Sequence, residues 1–171
     1  HMPAKILSDL INLTIEVGEI IMSHRKHSKN FSIKSDNTPV TKADKASNEL
    51  IINTLKKLTP NIPILSEESS SIAFSVRKSW DEYWLIDPLD GTRDFIDGSP
   101  DFCISIALIR NHYPVFGLIY SPFHKIHYYR LPDQASIKII GKTCHKIFTK
   151  KPKRRQKIVI GRYSNKNKPL K

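Results

Sequence analysis

Trp84-Leu85-Ile86-Asp87-Pro88-Leu89-Asp90-Gly91-Thr92-Arg93-Asp94-Phe95 is an apolar strand that runs straight into two carboxylates and a glycine turn. A proline and a leucine separate Asp87 from Asp90, so a turn there can aim both carboxylates at one point, where their repulsion makes sense around cations. If Gly91-Thr92 opens a short helix through Phe95, its free backbone N–H groups and positive dipole end face the same spot, which is how a phosphate is cradled. Asp-Pro and Asp-Gly are also ordinary turn formers, so a second signal is needed. It comes at Ile62-Pro63-Ile64-Leu65, a short buried strand that ends in Ser66-Glu67-Glu68. Two strands ending in acids are expected where neighbouring strands deliver ligands to one edge of a sheet.

Outward from these blocks, residues 4–22 place Ile6, Leu7, Leu10, Ile11, Val17, Ile20 and Ile21 close to helical spacing, which predicts an amphipathic first helix. Residues 30–41 are polar and predict a loop or β-ribbon that presents Lys34 to the site. A second helix is expected over 43–57, with Leu50, Ile51, Leu55 and Leu58 inward. The period then changes, and 62–65, 83–86, 102–109, 115–120 and 125–130 read as strands. Two helices followed by a run of strands predict an α+β domain, its helices layered on a largely antiparallel sheet.

A chain of 171 residues, 39% of them apolar, can bury one substantial core. Two cysteines, Cys103 and Cys144, give no disulfide framework and suit a reducing cytoplasm, the expected compartment. No apolar run reaches the length of a transmembrane segment. The histidines show no metal-ligand spacing, and His24, His27, His112, His124, His127 and His145 read as surface or loop residues. Charge is partitioned sharply: from Lys138 onward there are 13 Lys or Arg and no acids, against 15 basic and 16 acidic residues before it. Such a segment attracts polyanions, but without interleaved aromatics it predicts a solvated tail and no specific nucleic-acid recognition.

Three blocks taken in order, Lys34-Ser35-Asp36-Asn37-Thr38-Pro39-Val40-Thr41-Lys42-Ala43-Asp44, Leu65-Ser66-Glu67-Glu68 and Trp84 through Phe95, resemble the lithium-sensitive, magnesium-dependent sugar and nucleotide phosphatase superfamily. That superfamily includes inositol monophosphatases, fructose-1,6-bisphosphatases and bisphosphate nucleotidases. The Leu-Ser-Glu-Glu and Asp-Gly-Thr-Arg-Asp-Phe forms look most like its CysQ-type 3′(2′),5′-bisphosphate nucleotidases. The resemblance implies the amino-terminal half of the sugar-phosphatase fold. It implies that Glu67, Asp87 and the Leu89 carbonyl hold one magnesium and that Asp87 and Asp90 hold a second. It further implies that Asp44 and Thr92 orient and deprotonate the attacking water, with Glu67 in the catalytic set. Gly91 and Thr92 would hold the substrate phosphate, and Glu68 and Lys34 would stand close by.

The resemblance carries an expected reaction, hydrolysis of 3′-phosphoadenosine 5′-phosphate to AMP and phosphate by two-metal activation of water. Its alternatives are an inositol monophosphatase, or an inactive metal-binding fragment with a nonspecific polyanion-binding tail. The chain departs from the family pattern after residue 137. No acid follows Asp133, the family's later aspartate has no counterpart, and weakened turnover is expected. Residues 1–137 are therefore read as a metal-binding phosphatase domain, and 138–171 as a basic segment beginning an absent second α/β half. An uncovered sheet face predicts self-association into a homo-oligomer.

Overall fold

The structure, a computed structural model, describes residues 3–27, 39–69 and 72–151. Helix α1 spans Ala4–His27 and α2 spans Pro39–Leu58. The strands are β1 (Ile64–Ser66), β2 (Glu82–Asp90), β3 (Cys103–Arg110), β4 (Tyr113–Ser121), β5 (Ile126–Arg130), β6 (Ser136–Ile140) and β7 (Thr143–Ile147). A 3₁₀ turn at Glu67–Ser69 follows β1, a short α3 (Phe74–Arg77) precedes β2, and α4 (Thr92–Ile96) follows it. Among the described residues the seven strands lie in one sheet in chain order, and only the β1–β2 pair is parallel. This is the expected α+β arrangement of helices on a mostly antiparallel sheet. No helix among the described residues is long and apolar enough to cross a membrane.

Leu10, Leu13, Val17 and Ile21 of α1 and Ile51 and Leu55 of α2 are buried against Trp84, Ile86, Ile104, Ile106, Phe116 and Leu118 of the sheet. The helical stripe and the strand alternation thus face each other, which is what drives the layers together. Gly18 permits the approach: a Cβ there would sit 2.7 Å from the Tyr120 ring. On the opposite face Leu85 and Ile119 are 41% and 45% exposed. The Trp84 indole N–H donates to Thr59 Oγ1 at 2.9 Å, so this large core residue leaves no polar atom unmatched.

Several elements run beyond their sequence-derived limits. Helix α1 continues past 22 to His27, because the polar Ser23-His24-Arg25 carries no breaker and Ser23 Oγ caps back onto the Ile20 carbonyl at 2.7 Å. Helix α2 begins at Pro39 rather than 43, since proline suits the first helical turn. That shift moves Asp44 to the second turn, where neither capping nor the helix dipole accounts for an acid. Strands β6 and β7 were not foreseen; the boundary drawn after residue 137 falls inside β6, and the basic stretch to Ile147 continues the sheet. Charge hid these strands, because β7 is exposed along its whole length and needs no apolar alternation.

His127 is also no surface residue. It is buried on β5 and stacked on Tyr120 at 4.1 Å, and its Nε2 lies 2.9 Å from Thr14 Oγ1. Thr14 Oγ1 donates to the Ile11 carbonyl at 2.8 Å. The oxygen can therefore accept from the ring. Burial drives the His127 pKa down to about 4, so the imidazole packs neutral between α1 and the sheet.

Candidate active site

The parallel register Ile64↔Trp84, Leu65↔Leu85, Ser66↔Ile86 brings the carboxyl ends of β1 and β2 out on the same edge. Glu67 and Glu68 follow at the end of β1 in the 3₁₀ turn, and Asp87 and Asp90 lie at the end of β2. The expected turn between these aspartates is instead an irregular piece of strand. Asp87 pairs with Ser105 and Asp90 with Cys103, so Pro88 and Leu89 stand against one β3 residue. This is a β-bulge, and it tolerates a proline that has no N–H to give. In an unbroken strand, positions three apart face opposite sides; the extra residue returns Asp87 and Asp90 to one face.

Asp44 reaches this edge from α2 and is only 7% exposed. Its Oδ1 is buried without a hydrogen-bond partner among the described residues. Burial, and then the charges of Glu68, Asp87 and Glu67, raise its pKa from 3.8 to about 7. Asp87 rises to about 6, first through burial and then through Asp90, against the opposing hydrogen bond from the Leu89 N–H. Glu68 is raised by burial, by its hydrogen bond with Glu67, and by the charges of Glu67 and Asp87, with Lys45 opposing. Five of the acids singled out in the sequence therefore share one electrostatic neighbourhood.

Asp87 Oδ1 accepts the Leu89 N–H at 3.1 Å, and Thr92 Oγ1 donates to the Leu89 carbonyl at 3.1 Å. Thr92 is thus tied to the bulge, and no hydrogen bond joins it to Asp44. Gly91 has φ +83°, and a Cβ there would stand 2.7 Å from the Asp101 carbonyl oxygen, so both conformation and space demand glycine. From it α4 opens as the sequence indicated, with Phe95 N–H closing the first turn on the Gly91 carbonyl at 2.9 Å. Lys34 lies outside the described residues.

Sequence reading missed three neighbours. Ser66, buried at the last position of β1, donates from Oγ to Asn48 Oδ1 at 2.6 Å and accepts the Glu68 N–H at 3.3 Å. It fastens the acidic turn to α2 one helical turn beyond Asp44. A serine and an asparagine 18 residues apart give no sequence signal for this contact. Cys103, expected as strand packing, stands beside the site with Sγ 3.9 Å from Asp90 Oδ2 and 3.8 Å from Ser105 Oγ.

Among the described residues no three acidic, histidine or cysteine side chains form a ready-made metal cluster. The donor chemistry nevertheless fits a hard divalent cation. The groups are carboxylate and carbonyl oxygens, several are held above their ordinary pKa by burial and then by mutual repulsion, and one buried carboxylate oxygen has no partner among the described residues.

Residues 2–166 match the inositol monophosphatase family. The chain is 40% identical over 126 residues to the 3′(2′),5′-bisphosphate nucleotidase CysQ of Aggregatibacter actinomycetemcomitans, covering 74% of this chain and 47% of that protein. To the same enzyme of Salmonella typhimurium it is 41% identical over 132 residues, covering 76% and 53%. Among solved structures it superimposes on CysQ of Bacteroides thetaiotaomicron, a bacterial member of the inositol monophosphatase family, with TM-score 0.69 and 37% identity over 77% of this chain and 47% of that one. An inositol monophosphatase of Thermotoga maritima gives TM-score 0.65 at 26% identity, covering 78% of this chain and 51% of that one. The chain spans about half the length of the curated relatives it matches.

Proposed function

The chain belongs to the inositol monophosphatase family, and from that premise we propose that it acts as a magnesium-dependent phosphatase on 3′-phosphoadenosine 5′-phosphate, yielding AMP and phosphate. The observation that carries the reading is the parallel β1–β2 pair, whose acid-bearing ends meet Asp44 from α2. The substrate class, a nucleotide bisphosphate, follows the name of the CysQ relatives, which are 3′(2′),5′-bisphosphate nucleotidases; the adenine base is this reading's own.

In this reading Glu67, Asp87, the Leu89 carbonyl and Asp90 would hold the magnesium ions, with Glu68 alongside. Bound magnesium supplies charge neutralisation at the phosphoryl group and acidifies water. Asp44, buried beside these carboxylates with Oδ1 lacking a hydrogen-bond partner among the described residues, accepts the proton of the attacking water. Thr92 has its own proton engaged by Leu89, so its oxygen lone pairs are left to orient that water. The backbone N–H groups of Gly91 and Thr92 face the phosphate oxygens at the start of α4. Water oxygen bonds to phosphorus, its proton passing to Asp44, as the bond to the 3′ oxygen breaks; that oxygen takes a proton from solvent and leaves as the 3′ hydroxyl of AMP, and no covalent enzyme intermediate is needed.

The test is phosphate release from 3′-phosphoadenosine 5′-phosphate with magnesium, this chain against its Asp90→Asn variant, with inositol monophosphate as competing substrate. Release that disappears in the variant supports the reading. Preferential turnover of inositol monophosphate replaces the substrate, and no release from folded wild-type chain overturns the activity.

A further inference from the structure

We infer that Arg25, in the last turn of α1, is a positioning residue that clamps the segment after α4 against Gly91 and so fixes the phosphate-facing turn; the inference rests on the phosphatase reading and deepens it. Arg25 Nη2 donates to the Ser99 carbonyl at 2.6 Å. Its guanidinium lies over three aromatic rings, at 4.9 Å from Phe102, 5.6 Å from Phe123 and 5.7 Å from Phe95. Phe95 and Phe102 are buried and meet edge to face at 5.3 Å. A planar cation among three rings, with a short bond to a buried backbone carbonyl, is far more constrained than a solvated surface arginine.

The constraint leads into the site through a short chain of contacts. Ser99 N–H donates to the Asp94 carbonyl of α4 at 2.9 Å, Ser99 Oγ donates to Asp101 Oδ2 at 3.0 Å, and Asp101 N–H donates back to Ser99 Oγ at 3.1 Å. The Asp101 carbonyl and Phe102 Cα then press on Gly91, within 2.7 Å and 3.2 Å of where its Cβ would be. Gly91 joins Asp90 to Thr92. Arg25 therefore sets the height at which the 99–102 backbone seats the Asp90-Gly91-Thr92 turn, without touching substrate or metal. Since small misplacements of reacting groups cost large factors in rate, the role belongs to turnover rather than to binding.

The experiment compares wild type, Arg25→Met, Arg25→Lys and a remote control, Arg110→Met, by amide hydrogen exchange and phosphate release. Arg25→Met keeps the stem packing and removes the guanidinium; Arg25→Lys also keeps the charge at the helix end and serves if the first variant unfolds. The expected result is exchange at least fivefold faster in residues 91–102 with the sheet unchanged, and kcat about tenfold lower with KM within threefold. The control should leave exchange in that segment as in wild type. Unchanged exchange over 91–102 in both Arg25 variants overturns the clamp, whatever the activity. Faster exchange there in a chain whose wild type releases no phosphate sustains the clamp and removes the phosphatase reading.

Discussion

Replacing Asp44 with asparagine in metal-free protein should raise stability at neutral pH and leave it unchanged in acid. The folded chain holds a proton on Asp44 up to about pH 7, whereas the unfolded chain releases it near 3.8. Between those values the native state binds more protons, so wild-type stability falls as pH rises through the window and the loss is complete above 7. At about 1.36 kcal/mol per pKa unit the full shift corresponds to ~4 kcal/mol. Water reaching the open side of the carboxylate cluster screens this to about 1–2 kcal/mol. Asp87, raised to about 6, slopes the same way, and His127, lowered to about 4, slopes the opposite way, because its buried neutral form gains as pH climbs towards 6.5. His127 lies apart from the cluster and persists in the variant, so subtracting the two stability curves leaves Asp44 together with its mutual repulsion with Glu68, Asp87 and Glu67. Urea unfolding in EDTA at half-unit steps from pH 4.5 to 8 supplies those curves. A difference that is absent at pH 8, or as large at pH 4.5 as at pH 8, would refute the assignment of Asp44 to a repulsive buried cluster.

Gly91→Ala, at φ +83° with a Cβ 2.7 Å from the Asp101 carbonyl, should cost about 1–3 kcal/mol and reduce phosphate release more than tenfold. A melting temperature equal to wild type would contradict the tight seating. Thr14→Val removes the hydroxyl beside buried His127 and should cost about 1–3 kcal/mol in chemical denaturation; a loss below about 0.5 kcal/mol would mean the ring finds another partner. Ser66→Ala breaks the 2.6 Å bond to Asn48 and should lower stability by about 1 kcal/mol while weakening magnesium binding several-fold in calorimetry. Unaltered magnesium affinity would detach Asn48 and Ser66 from the site.

The strands from 62 to 130 and both long helices were legible because one face of each is apolar at its own period, as in Trp84 and Ile86 or Leu10 and Val17. Glu67, Glu68, Asp87 and Asp90 of the candidate site stood out because they follow such runs directly, whereas Asp44 came only with the family resemblance. What escaped depends on contacts distant in sequence. Asp87 and Asp90 come to one face through a bulge whose existence depends on the partner strand β3. His127 is buried because α1 brings Thr14 to it across 113 positions. Arg25 belongs to a polar run that reads as a helix-ending surface until Phe95, Phe102 and Phe123 close around it. Strand β7 is exposed throughout and shows no apolar face, and β6 offers its Ile137-Lys138-Ile139 alternation over only five residues.

The sheet's strand order also has a consequence for how the chain reaches its fold. From β3 to β7 every pairing joins consecutive antiparallel strands, and the β3–β4 turn is only Asn111 and His112, at φ 49° and 65°, the left-handed pair of a tight hairpin. The β1–β2 pairing is parallel and must wait for the intervening 67–81 stretch to cross over. Local pairings close early and distant ones late. The carboxylates should therefore be driven together only after the hairpin meander exists to bear their repulsion. In pulsed exchange during refolding, amides of 103–130 should gain protection before those of 64–66, and the reverse order would show that the acidic edge nucleates the sheet instead of completing it.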